Sequence, residues 1–165
     1  MAYDYENDLN EYMFKDGKLT TVEQGRYFAE WVLLKLFNRT MDEIENNDIE
    51  GGVSIPDGVN DKGIDCYFKD ADTLYIVQCK YRKQHSYSEV NHFKSQMEEF
   101  FSRKDGIGLN SKILEVWNLI NDTEINQIKV FYVTNNDLTS EAINHNYASI
   151  AEKFEEDYGC LGKDM

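Results

Sequence analysis

The sequence predicts an α/β domain, a mixed central sheet with helices on its faces, and three observations predict it. Residues 63–81, GIDCYFKDADTLYIVQCKY, hold two runs of β-branched and aromatic residues around a polar bend, Lys69-Asp70-Ala71-Asp72-Thr73, as a hairpin requires. Residues 127–134, QIKVFYVT, form a near-continuous apolar run that suits a strand covered on both sides. Around these, apolar residues recur at helical spacing over residues 20–38, 86–102 and 111–121. Helices interleaved with strands in this order can bury one sheet from both faces.

The elements follow in order. Residues 1–19 are polar and acidic without a clear period, a short helix or an arm. Thr20 and Glu23 form a capping-box pair, and Phe28, Trp31, Val32, Leu33, Leu36 and Phe37 give the helix after them one wide apolar face, to about Asn38. Residues 41–62 are acidic and rich in Asn and Gly, a loop with a short strand at Gly52-Val53-Ser54-Ile55; Asp57, after Pro56, is read as a turn residue. After the hairpin, Ser86 and Glu89 form a second capping pair, ahead of a stripe of Val90, Phe93, Met97, Phe100 and Phe101. Such an aromatic stripe is read as core. Gly106 and Gly108 break the chain, Ser111 to Asn121 is the next helix, and Thr139 or Ser140 starts a last one carrying Ile143, Tyr147, Ile150 and Phe154. The expected organisation is a single domain over residues 1–165.

Composition narrows the classes. With 165 residues, 41% of them apolar and 13% aromatic, the chain is large and apolar enough for an ordinary core, which excludes a disordered chain. One proline and 10 glycines leave no room for a low-complexity linker. The longest apolar run, Trp31 to Phe37, is broken by Lys35 and is too short to span a bilayer. Cys66, Cys79 and Cys160 lack metal-ligand spacing, and an odd count suits a reducing compartment, so a cytoplasmic location is expected. His85, His92 and His145 lack ligand spacing too and are read as surface or capping residues.

The net charge of −14 opposes binding to phosphate, but it is unevenly spread. Residues 1–50 hold 12 acids and 5 bases, whereas residues 78–104 hold 6 bases and 3 acids. The net-basic segment, with Lys80, Arg82 and Lys83 at its head, directly follows the hairpin.

Along the second hairpin strand Leu74, Ile76, Gln78 and Lys80 share one face, while Tyr75, Val77, Cys79 and Tyr81 share the other. Asp65 on the first strand can converge with Gln78 and Lys80 at one end. Taken singly, these are a surface aspartate, an edge amide and a snorkelling lysine. Taken together, a carboxylate, an amide oxygen and an ammonium can hold a hard cation and a phosphate and activate a water.

The pattern Gly63-Ile64-Asp65, a short hairpin, then Gln78-Cys79-Lys80-Tyr81 resembles the core motif of the PD-(D/E)xK nuclease superfamily, most of all its Mrr-type branch and the N-terminal domain of abortive-infection phage-resistance (AIPR) proteins. The hairpin match is fairly specific; the rest is an order of elements over roughly residues 20–154. The resemblance implies a restriction-endonuclease-like fold and a Mg²⁺- or Mn²⁺-dependent endonuclease acting on DNA, in bacterial or phage-related defence. It implies that Asp65 is the main metal ligand, that the Cys79 backbone carbonyl and the Gln78 amide oxygen complete the protein's share, and that Lys80 contacts the scissile phosphate. Arg82 and Lys83, with Tyr81, would follow the nucleic-acid backbone, although Tyr81 also suits the core. Gln78 in place of a carboxylate removes a charge and implies weaker metal binding.

The same families place a glutamate on the first helix beside the site. Glu23 and Glu30 lie two turns apart on nearly the same side; the register of Leu33, Leu36 and Phe37 favours Glu30 for the site and leaves Glu23 as a cap. The family fold usually supplies one more strand after the last helix, which the residues 157–165 are not read as giving; the chain is then a minimal domain or the front part of a longer protein, and the greater length of AIPR-like proteins favours the second. Two-fold DNA admits a homodimer. Two other functions fit: a catalytically inactive nuclease-like DNA-binding module, and an acidic, DNA-mimic-like interaction domain, the latter motivated by the charge.

Overall fold

A computed structural model describes residues 5–56, 64–81, 87–135 and 157–161. The elements run α1 (Tyr5–Met13), α2 (Thr21–Lys35), α3 (Met41–Asn46), β1 (Val53–Ser54), β2 (Cys66–Asp70), β3 (Thr73–Lys80), α4 (Tyr87–Ser102), α5 (Ser111–Ile120), β4 (Gln127–Thr134) and β5 (Asp157–Leu161). The strands form one five-stranded sheet in the order β1-β2-β3-β4-β5, antiparallel through β3 and parallel from β3 to β5. The chain is thus a mixed α/β domain with a mixed sheet flanked by helices.

Alternation on the strands builds a core on each side. Tyr67, Leu74, Ile76, Val130 and Tyr132 meet Val90, Phe93, Met97 and Phe100 of α4 and Ile113 and Val116 of α5. On the other face Cys66, Phe68, Val77 and Val133 meet Phe28, Trp31, Val32 and Leu33 of α2, with Leu9 and Met13 of α1 behind them. β4 feeds both cores, as its unbroken apolar run anticipates. The aromatic stripe of α4 is core, as read from its spacing.

Three local differences have physical causes. The hairpin is tighter than the five-residue bend read from the sequence: Asp70 pairs with Thr73, leaving Ala71 and Asp72 as the turn. Ala71 there takes φ +55°, a conformation ordinarily left to glycine. The Asp72 carbonyl and carboxylate both accept from Asn126, which ties the turn to the start of β4 and sets the register of Thr73 against Gln127.

Within the stretch read as loop lies α3, started by a full capping box between Thr40 and Glu43. The residues 157–165, from which no strand was read, contribute β5, whose residues from Lys129↔Asp157 to Val133↔Leu161 run parallel to β4. A five-residue edge strand interrupted by Gly159 carries too little alternation to be read from sequence. The helix expected from Thr139 or Ser140, and the Asp57 turn, lie outside the described residues.

Candidate active site

Two clefts open at the C-terminal end of β3, one on each side of the sheet. The first, of about 300 Å³, lies against α2 and is lined by Asp65, Cys79, Lys80 and Tyr81 with Ile55 and Pro56 opposite. The second, of about 360 Å³, lies against α4 and is lined by Gln78, Lys80 and Phe93 with Ser88, Glu89 and Gln96. Lys80, at the last position of β3, borders both.

Strand chemistry explains the division. Gln78 and Cys79 are consecutive and point to opposite faces. Asp65 stands across from Gln78 in the β2–β3 register, and strict alternation would put it on the α4 side with Gln78. A bend at Asp65 breaks the alternation: Ile64 is buried in the α4–α5 core and Cys66 in the α2 core, with Asp65 between them lining the α2-side cleft. Its backbone N–H donates to the Val77 carbonyl at 2.9 Å, and its Oδ2 accepts from the Cys79 N–H at 2.7 Å. A short charge-assisted bond of this kind fixes the carboxylate against the strand end that carries Lys80.

The wall of this cleft is a stripe of α2, Thr21, Val22, Gly25, Arg26 and Ala29. Glu30, expected in the site, does not line it. Its Oε2 accepts from the Tyr12 hydroxyl at 2.9 Å, its Oε1 lies 3.6 Å from Arg26, and its side chain is only 13% exposed. Packing of α1 on α2 supplies a phenol that the sequence of residues 1–19 gave no period to anticipate. Burial, together with that carboxylate, holds the Tyr12 hydroxyl well above its ordinary pKa. Glu23 is the cap expected of it: it accepts from the Thr20 N–H at 3.0 Å, its own N–H donates to the Thr20 hydroxyl, and these bonds lower its pKa.

The resemblance grouped Gln78 with Asp65, but Gln78, 4% exposed, lines the α4-side cleft instead. Asp65, Cys79 and Lys80 are brought together; Gln78 and Glu30 do not join them in that cleft. Arg82 and Lys83 lie outside the described residues. Tyr81 lines the cleft and packs its ring 5.5 Å from that of Phe28, the core contact weighed for it. His92, taken as a surface residue, is exposed but also borders the α4-side cleft. Sequence reasoning missed Arg26 and the polar face of α4, although Glu89, His92 and Gln96 stand at helical spacings of three and four.

The α2-side donor set can be tested against a divalent cation. No group of three or more His, Cys, Asp or Glu side chains able to hold a metal gathers among the described residues. The neighbouring Cys66 thiol and burial raise the Cys79 thiol's pKa, which disfavours it as a thiolate ligand. What remains is oxygen: the Asp65 carboxylate and the strand-end backbone. A sparse oxygen set with one carboxylate fits a Mg²⁺-like ion, which keeps most of its waters and takes further ligands from a bound phosphate.

No helix among the described residues is long and apolar enough to cross a membrane. Comparison with protein-family models, curated proteins and solved structures finds no match to this chain.

Proposed function

We propose that this chain is a restriction-endonuclease-like nuclease domain that hydrolyses phosphodiester bonds in DNA with a divalent cation, Mg²⁺ or Mn²⁺, and that it serves bacterial or phage-related defence. The observation that carries the reading is the meeting of Asp65 and Lys80 in one cleft at the open end of the hairpin. The order of elements supports it as well: helices, three antiparallel strands, helices, then two strands running parallel to the third.

Asp65, with the Cys79 carbonyl beside it, would hold the cation. Such an ion, when bound, lowers the pKa of an attached water and offsets phosphate charge. The Cys79 N–H keeps the carboxylate in one orientation, so little reorganisation is needed as the phosphate enters. The Lys80 ammonium donates to a non-bridging phosphate oxygen and stabilises the negative charge that grows there. Arg26, whose side chain is 57% exposed at the cleft wall, draws the backbone in while Glu30 restrains its guanidinium.

A second reading, a catalytically silent module that binds nucleic acid, is favoured by one observation. Among the described residues lining the α2-side cleft, Asp65 is the single carboxylate.

Digestion of plasmid and single-stranded DNA by wild type, Asp65→Ala and Lys80→Ala, with Mg²⁺ or Mn²⁺ titrated and then chelated, separates the two. Cleavage that needs the ion, vanishes in Asp65→Ala and falls by about 10²-fold or more in Lys80→Ala supports the nuclease. An inert wild type that still binds DNA supports the module.

A further inference from the structure

Apart from Lys80 on its border, the α4-side cleft has no part in the hydrolysis just described, yet it is a formed cavity, largely apolar with a few polar side chains. Its floor holds a buried amide, Gln78, beside the Phe93 ring, which is 1% exposed. Its α4 wall carries Glu89, His92 and Gln96. Lys80 borders both this cavity and the α2-side cleft.

We infer that this cleft receives a single unpaired nucleobase of the strand whose phosphate sits at Lys80. The inference rests on the nuclease reading and names the form of substrate it takes. Charge decides between the parts of a nucleotide. With the Lys80 ammonium engaged by the first phosphate, Glu89 disfavours a second one in the cavity, whereas a base is neutral and planar, and its edge needs donors and acceptors. The amides of Gln78 and Gln96 each supply both, and the Glu89 carboxylate accepts from a ring N–H or exocyclic amine. The volume of about 360 Å³ holds one base with water to spare. A phosphate and its own base are one sugar apart, and Lys80, at the last position of β3, borders both clefts. Gln78 is only 4% exposed, out of reach of a base stacked and paired in a duplex, so the substrate is single-stranded there or has that base turned out.

The test is fluorescence anisotropy on short single-stranded oligodeoxynucleotides carrying one stable abasic site, moved along the strand, with Ca²⁺ present as a cation expected to support binding without turnover. Wild type should lose about 10-fold in affinity when the abasic site falls at one position and little elsewhere. Gln96→Ala and His92→Ala, both on the accessible wall of α4, should bind the intact strand more weakly and flatten that positional dependence; circular dichroism confirms their fold. A wild-type scan flat at every position, with binding intact, overturns the base pocket and leaves the nuclease reading standing. Failure of wild type to bind any single-stranded oligonucleotide overturns the base pocket, and failure to bind or cleave plasmid as well overturns the nuclease reading with it.

Discussion

The Asp65 carboxylate accepts the Cys79 amide proton at 2.7 Å, so the residue proposed to hold a cation also closes the open end of the β2–β3 ladder. Asp65→Ala leaves that strand-end N–H without this acceptor and should cost about 1–3 kcal/mol in urea unfolding. Asp65→Asn keeps an oxygen for the N–H but loses the charge, so it should cost less while still abolishing Mn²⁺ binding by calorimetry. Equal Mn²⁺ affinity in wild type and Asp65→Asn would remove Asp65 from the metal site.

Ala71 occupies a glycine conformation at the hairpin turn. Ala71→Gly should relieve this and stabilise the fold by about 0.5–1 kcal/mol, even though glycine gives the unfolded chain more freedom. Thermal unfolding should shift upward by roughly 1–4 °C. A lower midpoint would mean that the turn differs from the one described.

Much of this fold could be read from the sequence because burial writes a period. β4 was read as residues 127–134 and is found there, and α2 and α5 start where a cap and an apolar face say they should. Where the period is short, it was lost: β5 has five residues, and α3 has six, though Thr40 and Glu43 carried a cap signal that could have been used. The candidate site divides the same way. Hairpin closure brings Asp65 and Lys80 to one strand end, and the bend at Asp65, rather than alternation, turns its carboxylate into the α2-side cleft. Glu30 and Gln78 depended on what lay opposite them. Tyr12 claims the first, and the bend at Asp65 leaves the second on the far side of the sheet; no local pattern announces either.

The Tyr12–Glu30 bond predicts an alkaline limit. The folded Tyr12 pKa lies above its ordinary value of about 10, so the stability gained from the neutral phenol is fully present below that pH. It is lost as pH rises through the folded pKa. Tyr12→Phe should therefore cost about 1 kcal/mol at neutral pH and unfold less steeply with pH on the alkaline side. Glu30→Gln should retain metal-dependent cleavage within a few-fold, because Glu30 does not line the cleft. Loss of cleavage comparable to that of Asp65→Ala, in a folded Glu30→Gln protein, would place Glu30 back in the site.

The division of the two clefts is most sharply tested by Gln78→Glu. Were Gln78 a ligand beside Asp65, the new carboxylate would tighten Mn²⁺ binding. Its place in the α4-side cleft, 4% exposed and near Glu89, gives the opposite expectation. The introduced carboxyl loses water and meets the Glu89 charge, which raise its folded pKa above the unfolded value of about 4.3 against the opposing pull of the Lys80 ammonium on the same cleft. Below that pH both states are protonated and the variant should match wild type. As pH rises from there towards the folded pKa, the unfolded state ionises first and stability falls, reaching a loss of roughly 2–3 kcal/mol once a two-unit shift is fully expressed. Urea unfolding at about pH 4 and about pH 8 reads the difference, and Mn²⁺ calorimetry at the higher pH should give wild-type affinity. Tighter Mn²⁺ binding without a pH-dependent penalty would put Gln78 beside the metal and collapse the two clefts into one site.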